Sequence, residues 1–248
     1  MIERSQSFFL KKPCLNDKIR IFCFPYAGGG ASAYRNWGTY FPDYVGVYPV
    51  QIPGRENRIT ERAIIDMNQL VDKIVDAMCP YTDTKFLVFG HSLGAKISYE
   101  VCNRLREKGN NAPCHLIVSG SRAPHIPEPE PLHHLKDADF IEAMKRYSGM
   151  SREFLENKDL LNLFLPIFRA DFILDETYRF IKYENFDFPI TALYGDHDQD
   201  SETETVEAWG KYTNSSFNKK VFHGEHFFIK TSENEVLTYI KDIALQYA

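Results

Sequence analysis

Residues 85–109 read KFLVFGHSLGAKISYEVCNRLREKG, and this stretch decides the fold. Its first part, KFLVFG, is a nearly continuous apolar run, which is typical of a strand covered on both faces of a sheet. From Leu93 onward the apolar residues recur at helical spacing, and Gly109 follows as a helix stop. The segment GHSLG at 90–94 lies between them. The stretch therefore predicts a strand, a tight turn at Ser92 and a helix.

The same alternation fills most of the chain, and it is the pattern of a mostly parallel central sheet with helices on both faces. Strands are predicted at Lys18–Phe24, Val45–Ile52, Lys85–Gly90, His115–Ser119, Ile190–Tyr194 and Phe217–Phe222. Helices are predicted from Asp66 to Met78, with Gln69 completing a cap, from Leu93 to Lys108, and from Ser232 with Glu235 onward. A length of 248 residues suits one large α/β domain, so we predict a single domain over 1–248.

One stretch breaks the alternation, because residues 121–187 contain no convincing strand. A proline-rich segment at 123–131 is followed by helical patterns at Ala138–Tyr147, Ser151–Asn157 and Lys158–Phe172. A helical insertion of this size between two core strands predicts a lid over a pocket. We interpret its aromatic residues as packing residues; they are Phe164, Phe168, Phe172 and Tyr178.

The turn at Ser92 indicates nucleophilic catalysis, because a strand–GxSxG–helix arrangement projects a serine hydroxyl from the end of a sheet. A serine hydroxyl is a poor nucleophile at neutral pH and needs a general base. In the α/β-hydrolase fold the order along the chain is serine, acid, histidine. His226, after the last predicted strand, is therefore the candidate base, and His223 is its local rival.

The acid is expected in the loop after the strand ITALY, where Asp196, Asp198 and Asp200 compete. The Gly-x-x-Asp pattern favours Asp198, with Asp196 as the alternative. Its role would be to fix the tautomer of His226 and to stabilise the imidazolium. The predicted catalytic set is Ser92, Asp198 and His226.

The loop FPYAGGG at 24–30 is expected to complete an oxyanion hole, because its glycines allow the backbone to approach the pocket closely. The backbone N–H groups of Ala27 and Leu93 are the predicted donors. A nucleotide-binding role is disfavoured, because the chain contains no GxxxxGK[ST] and no GxGxxG followed by a suitable acidic residue.

Composition excludes several other classes of function. The net charge of −5 and the pI near 5.9 argue against nucleic acid as a partner. We expect no membrane span and no signal peptide, since no apolar stretch is long enough. The five cysteines have no metal-like spacing and are expected to be reduced thiols in the cytoplasm. The Asp/His loops likewise lack the spacing of a metal site, and no cofactor is expected.

Several segments together resemble the free-standing type II thioesterases that serve nonribosomal peptide and polyketide synthases. The resemblance extends from about Phe22 to the last helix. The GHSLGA elbow is generic to the fold, whereas the Pro-Gly-Arg loop and the Pro-x-x-Arg-Ala-Asp segment are more specific. The similar segments are FPYAGG at 24–29, PGRENR at 53–58, GHSLGA at 90–95, SGSRAP at 119–124, LPIFRAD at 165–171 and GEHFF at 224–228.

This resemblance implies an α/β-hydrolase fold and a hydrolase that removes unwanted acyl groups from the phosphopantetheine arm of a carrier protein. The enzyme would act in trans, as a monomer, on acyl or peptidyl carrier proteins. The family pattern also places the acid at Asp198, although Gln199 stands where relatives often have proline. A carboxylesterase or lipase acting on small esters is the alternative enzyme, and a non-catalytic module that binds carrier proteins is the alternative of another class.

Overall fold

The computed structural model of the chain describes residues 7–144 and 157–248. The strands are β1 Ile19–Phe24, β2 Val45–Pro49, β3 Lys85–His91, β4 His115–Ser119, β5 Ile190–Gly195 and β6 Phe217–Phe222. The helices are α1 Met67–Met78, α2 Leu93–Glu107, α3 Asp137–Met144, α4 Lys158–Glu176, α5 Thr203–Glu207, α6 Phe228–Thr231 and α7 Glu233–Leu245.

The six strands form one sheet in the order β2-β1-β3-β4-β5-β6, and every neighbouring pair is parallel. The chain moves outward from β1 to β2 and then returns to place β3 on the other side of β1. The loops that follow β1 and β3 therefore diverge, which opens a crevice at the carboxyl ends of these strands. Phe24 at the end of β1 pairs with Gly90 near the end of β3, so both loops begin at the same level of the sheet.

Both faces of the sheet are covered, which explains why its central strands are apolar without alternation. On one face Val88 of β3 packs with Ile74 of α1 and Ile97 of α2. On the other face Phe89 packs in a cluster with Trp37 and Ile240 of α7. This arrangement confirms the predicted fold class, a mostly parallel sheet with helices on both faces.

The predicted elements agree closely with the observed ones. Asp66 caps α1 as expected, since its carboxylate accepts a hydrogen bond from the backbone N–H of Gln69 at 2.8 Å. Two details of the prediction are wrong. Strand β2 ends at Pro49 rather than at Ile52, and Val50 instead forms an isolated antiparallel bridge with Phe9.

The last helix begins where it is predicted, and the second wrong detail concerns its cap. α7 begins directly after Ser232, but the Ser232 hydroxyl does not cap it. That hydroxyl donates to the carbonyl oxygen of His223 at 2.8 Å, and the backbone N–H of Glu235 donates instead to the carbonyl oxygen of Ser232 at 3.1 Å.

The predicted lid contains α3 and α4 among its described residues, and the only strand-type pairing found in that described part is a single bridge between Phe186 and Thr213. Of the predicted helix Ser151–Asn157, all but Asn157 lies outside the described residues, as does the end of the predicted helix Ala138–Tyr147. Asn157 caps α4 by accepting hydrogen bonds from the backbone N–H groups of Asp159 and Leu160, its second and third residues, at 3.1 Å each. That the segment acts as a lid stays a prediction.

Among the described residues, no helix combines the length and the apolarity needed to span a bilayer.

Candidate active site

Ser92 lies in the sharp turn between β3 and α2, with a φ of 56° and a ψ of −122°. A positive φ is strained for a residue with a side chain, so the surrounding structure must hold it. Its backbone N–H donates to the carbonyl oxygen of Ser119 at the end of β4, at 2.8 Å. The strained backbone and the helix start together match the strand–turn–helix geometry expected of a nucleophile elbow.

The glycines on either side of Ser92 are required because the turn is crowded. A Cβ atom on Gly90 would lie 2.1 Å from the carbonyl oxygen of Gly94. A Cβ atom on Gly94 would lie 2.2 Å from the carbonyl oxygen of Phe24, at the end of β1. The elbow therefore packs directly against the neighbouring strand end, where no side chain fits.

Replacing Gly94 with alanine should lower the free energy of unfolding by about 2–4 kcal/mol, because the contact at Phe24 is with backbone that cannot swing aside. Urea unfolding followed by circular dichroism measures this change. Gly38 is the matched control, since a Cβ atom there meets nothing within 4 Å. Gly38→Ala should change the stability by no more than about 0.5 kcal/mol. Equal losses for both variants would contradict the crowding argument.

His226 follows β6 and is buried, with 7% of its surface exposed. Its Nδ1 atom lies 3.1 and 3.2 Å from the two carboxylate oxygens of Asp198, which follows β5 and is 6% exposed. Asp198 also accepts hydrogen bonds from the backbone N–H of Asp200 at 3.0 Å and from the hydroxyl of Ser201. The carboxylate is thus held by two groups and presents its remaining capacity to the imidazole.

Burial and pairing act in opposite directions on these two side chains. Burial lowers the pKa of the His226 imidazole, but the hydrogen bond and the charge of Asp198 outweigh it and raise that pKa above the ordinary 6.5. Burial raises the pKa of the Asp198 carboxyl, but His226 and Ser201 outweigh it and lower that pKa below 3.8. Each residue therefore favours the charged form of the other.

The rival residues from the sequence form a separate pair at the surface. Asp196 accepts from the backbone N–H of Gly224 at 2.8 Å and lies 3.1 Å from His223 Nδ1 and 2.6 Å from His197 Nδ1. The Gly224 N–H and His223 lower the pKa of the Asp196 carboxyl, but all these side chains are exposed. The geometry thus separates two Asp–His pairs and places only the Asp198 pair in the interior. The catalytic roles themselves stay predictions.

A cavity of about 670 Å³ opens at the carboxyl end of β1 and β3, and its wall includes Ser92 and His226 together. Ala27 and Leu93, the predicted oxyanion donors, line the same cavity. Its aromatic wall residues are Tyr26, Phe164, Phe168, Phe172 and Phe227. Three of the four lid aromatics that we interpreted as packing residues therefore face the cavity. The fourth, Tyr178, instead donates from its hydroxyl to Glu100.

His91 lies next to Ser92 and could be mistaken for a second base. Its side chain is fully buried, and its Nδ1 lies 2.9 Å from the hydroxyl of Ser119. Burial, followed by the nearby imidazole of His226, lowers the pKa of His91 well below its ordinary value. The ring, centred 5.1 Å from that of His226, is therefore a neutral packing neighbour.

Two groups of three side chains within the described part of the chain bring possible metal-ligand atoms together. One consists of Asp196, His197 and His223 at the surface, and the other of Asp198, Asp200 and His226. In both groups the carboxylate and imidazole atoms already bind each other. Direct acid–imidazole pairing accounts for both groups without an ion.

Comparisons with known proteins agree on one family. The thioesterase domain family model matches residues 19–244. The protein named linear gramicidin dehydrogenase LgrE, from Brevibacillus parabrevis, is 36% identical over 234 residues, which is 93% of this chain and 89% of that protein. The structure of RedJ, a thioesterase of the prodiginine pathway in Streptomyces coelicolor, superposes with a TM-score of 0.87 at 36% identity, over 91% of this chain and 90% of RedJ.

A further structure is that of YbtT, described as a type II thioesterase from the yersiniabactin NRPS/PKS pathway. It superposes with a TM-score of 0.84 at 30% identity, over 96% of this chain and 98% of YbtT. These similarities extend over nearly the whole chain, so they include the strands and loops that build the site.

Proposed function

The chain belongs to the thioesterase domain family, and we propose that it hydrolyses acyl and aminoacyl thioesters on the phosphopantetheine arm of carrier proteins. By removing unwanted acyl groups it would regenerate stalled nonribosomal peptide or polyketide synthases. It would do so in trans, as a cytoplasmic monomer. The name of LgrE specifies a dehydrogenase, but the matching family and the solved relatives specify thioester hydrolysis.

One observation supports this proposal above the others. Ser92, in a strained turn, faces the same cavity as His226, whose far ring nitrogen is paired with the buried carboxylate of Asp198. A carboxylate only accepts hydrogen bonds, so it selects the tautomer in which Nδ1 carries the proton. The lone pair is then on Nε2, which is the atom that must take a proton from the serine.

In the proposed reaction the Ser92 hydroxyl attacks the thioester carbonyl carbon and passes its proton to His226. The carbonyl electron pair moves to oxygen, where the N–H groups of Ala27 and Leu93 stabilise it, each contributing about 3–4 kcal/mol. The carbonyl then re-forms, the C–S bond breaks and the sulfur takes the proton from His226, so that a thiol leaves and His226 is neutral again. Water activated by His226 cleaves the acyl-serine in the same way and frees the acid.

The cavity suits an apolar acyl group, because aromatic and aliphatic side chains together form much of its wall. Intact-mass spectrometry of the enzyme mixed with an acylated carrier protein tests the proposal, and the expected result is a transient acyl adduct on the wild type. Comparing kcat/KM on acyl-carrier, acyl-pantetheine and p-nitrophenyl esters separates it from an esterase. A clear preference for the small esters would contradict a role on carrier proteins.

The pH dependence of kcat/KM should show an acidic limb with a midpoint above 6.5. A general base works only when neutral, and Asp198 raises the pKa of His226 by favouring its protonated form. Activity should therefore rise with pH through that raised value and then level off. Initial rates measured from about pH 5 to 9 on a neutral acyl-pantetheine provide the profile. A midpoint below 6.5 would contradict the pairing of His226 with an ionised carboxylate.

A further inference from the structure

The carboxylate of Asp171 on α4 joins three segments that are distant in sequence. It is fully buried. Its Oδ2 atom accepts a hydrogen bond from the backbone N–H of Gly28 at 2.6 Å and one from Arg55 Nη1 at 2.6 Å, and its Oδ1 atom accepts from Arg55 Nη2 at 2.7 Å. The same Nη1 also donates to the carbonyl oxygen of Gly29 at 3.0 Å. One buried ion pair thus holds the loop after β1 at two successive residues.

That loop is a β-turn whose conformation decides where its N–H groups point. The N–H of Gly29 donates to the carbonyl oxygen of Tyr26 at 2.9 Å, so the turn spans Tyr26 to Gly29. Gly28 is its third residue and has a φ of +77°, as a type II turn requires. Type I and type II turns differ by a flip of the central peptide, here the one between Ala27 and Gly28.

Asp171 selects one of these two states. An ionised carboxylate accepts hydrogen bonds and repels other oxygens, so it binds the Gly28 N–H and excludes the flipped state that would present the Ala27 carbonyl oxygen. Arg55 compensates the buried charge with a forked pair of hydrogen bonds, which is the geometry at which arginine and carboxylate match. The turn that contains Ala27 is thereby held in a single conformation.

The helix itself is packed against the same turn. A Cβ atom on Gly28 would lie 2.0 Å from the ring of Phe168, which precedes Asp171 by one helical turn and lines the cavity. Helix α4 therefore lies against the loop at the point where Asp171 binds it. Near Asp171, α4 is therefore held against the loop by side-chain packing and by a hydrogen bond.

We propose that Asp171 and Arg55 are positioning residues for the oxyanion hole, which fix the turn that carries the Ala27 N–H donor. This inference rests on the proposed function, since it assigns the turn a role in stabilising a thioester oxyanion. The hydrogen bonds of a preorganised site must be in place before the reaction, because reorienting a peptide during the reaction would add to the barrier. The pair holds Gly28 and Gly29, and with them the turn that carries the donor, in one conformation while substrate is absent.

The test uses the variants Asp171→Asn and Arg55→Lys and two ligands. An acyl-pantetheine trifluoromethyl ketone forms a bond from the Ser92 oxygen to its carbonyl carbon, with the proton passing to His226 and the electron pair to the ketone oxygen. The corresponding S-alkyl pantetheine thioether, in which CH₂ replaces the carbonyl, occupies the same cavity but forms no oxyanion. We expect kcat to fall about 10- to 100-fold with KM changed less than about threefold. The ketone should lose a similar factor in affinity, and the thioether should bind unchanged.

A matched control separates positioning from general stability. Arg20 is another fully buried arginine, which donates to Asp83 at 2.8 Å and to the carbonyl oxygens of Cys14 and Tyr81, and it does not line the cavity. Arg20→Lys likewise removes a buried guanidinium with its hydrogen bonds and should leave kcat and the affinity for both ligands unchanged. If Asp171→Asn does not fold, Arg55→Lys still tests the positioning role, because it keeps the positive charge beside Asp171 and removes only the forked hydrogen bonds.

The outcomes are distinguishable from failure of the proposed function. Equal weakening of ketone and thioether binding, or no change in either, would overturn the positioning role while the wild type still hydrolyses thioesters. A wild type that neither hydrolyses acyl-pantetheine nor binds the ketone would overturn the proposed function instead.

Discussion

Replacing Ser92 with alanine is expected to lower kcat for thioester hydrolysis by about 10⁴- to 10⁶-fold, since removal of a serine nucleophile has effects of this size. Alanine leaves no atom to form the acyl-enzyme, so only the surrounding hydrogen-bond donors and binding groups remain. The fold should tolerate the change, because the contacts that hold this turn are made by the backbone N–H of Ser92 and by its flanking glycines. The free energy of unfolding should therefore stay within about 1 kcal/mol of that of the wild type.

Three measurements decide the result. Steady-state hydrolysis of an acylated carrier gives kcat, intact-mass spectrometry reports the acyl adduct, and urea unfolding gives the stability. Ser215→Ala is the matched control, since Ser215 is exposed and does not line the cavity, and it should retain full activity. Near-native hydrolysis by Ser92→Ala would overturn the assignment of the nucleophile.

The same variant separates an enzyme from a binding module. A thioesterase predicts an adduct on the wild type that disappears in Ser92→Ala, while affinity for the acylated carrier is kept. A module that only binds carriers predicts equal binding by both proteins and no adduct on either.

The framework of the site could be predicted because its signals are local. The apolar run of β3, the glycines around Ser92 and the start of α2 are adjacent in sequence, and each constrains the backbone by itself. Parallel strands then bring their carboxyl ends to one edge of the sheet. Asp198 and His226 are 28 residues apart, but each lies in the loop after a parallel strand, and this was sufficient to expect them near one another.

Contacts between distant side chains could not be predicted in the same way. Arg55 and Asp171 are 116 residues apart, and no sequence pattern around either residue indicates which residue it will contact. The resemblance to a family marked both segments, but only the folded chain shows that one carboxylate joins them to the Gly28 N–H. Ser201 is a milder case, because a hydroxyl three residues after an acid often bonds back to it, and that spacing could have been noticed.

The end of β2 and the cap of α7 are the two details that the sequence mispredicts. The apolar residues after Pro49 read as a longer strand, but Val50 is used by an antiparallel contact with Phe9 near the chain start. Ser232 reads as a helix cap, but its hydroxyl donates to the carbonyl oxygen of His223 in the preceding loop. In both places tertiary contacts override a correct local signal.

Replacing Asp198 with asparagine is expected to lower kcat by about 10²- to 10⁴-fold, whereas the same change at Asp196 should alter it less than about threefold. In Asp198→Asn the new side-chain amide could donate to His226 and so stabilise the wrong tautomer, with Nδ1 unprotonated and Nε2 unable to take the serine proton. Asp196 binds only exposed partners on the outer side of the loop. The two variants remove the same charge from positions two residues apart.

A shift of the pH profile adds a second readout to the same pair of variants. Asp198 raises the pKa of His226, so its loss should move the acidic limb of kcat/KM to lower pH, while Asp196→Asn should leave the limb in place. The histidines offer a parallel comparison, since His226→Gln should abolish measurable turnover and His223→Gln should not. If instead Asp196→Asn and His223→Gln cause the larger losses, the exposed pair is the functional one. Opening of this loop in solution would then have to bring it to Ser92.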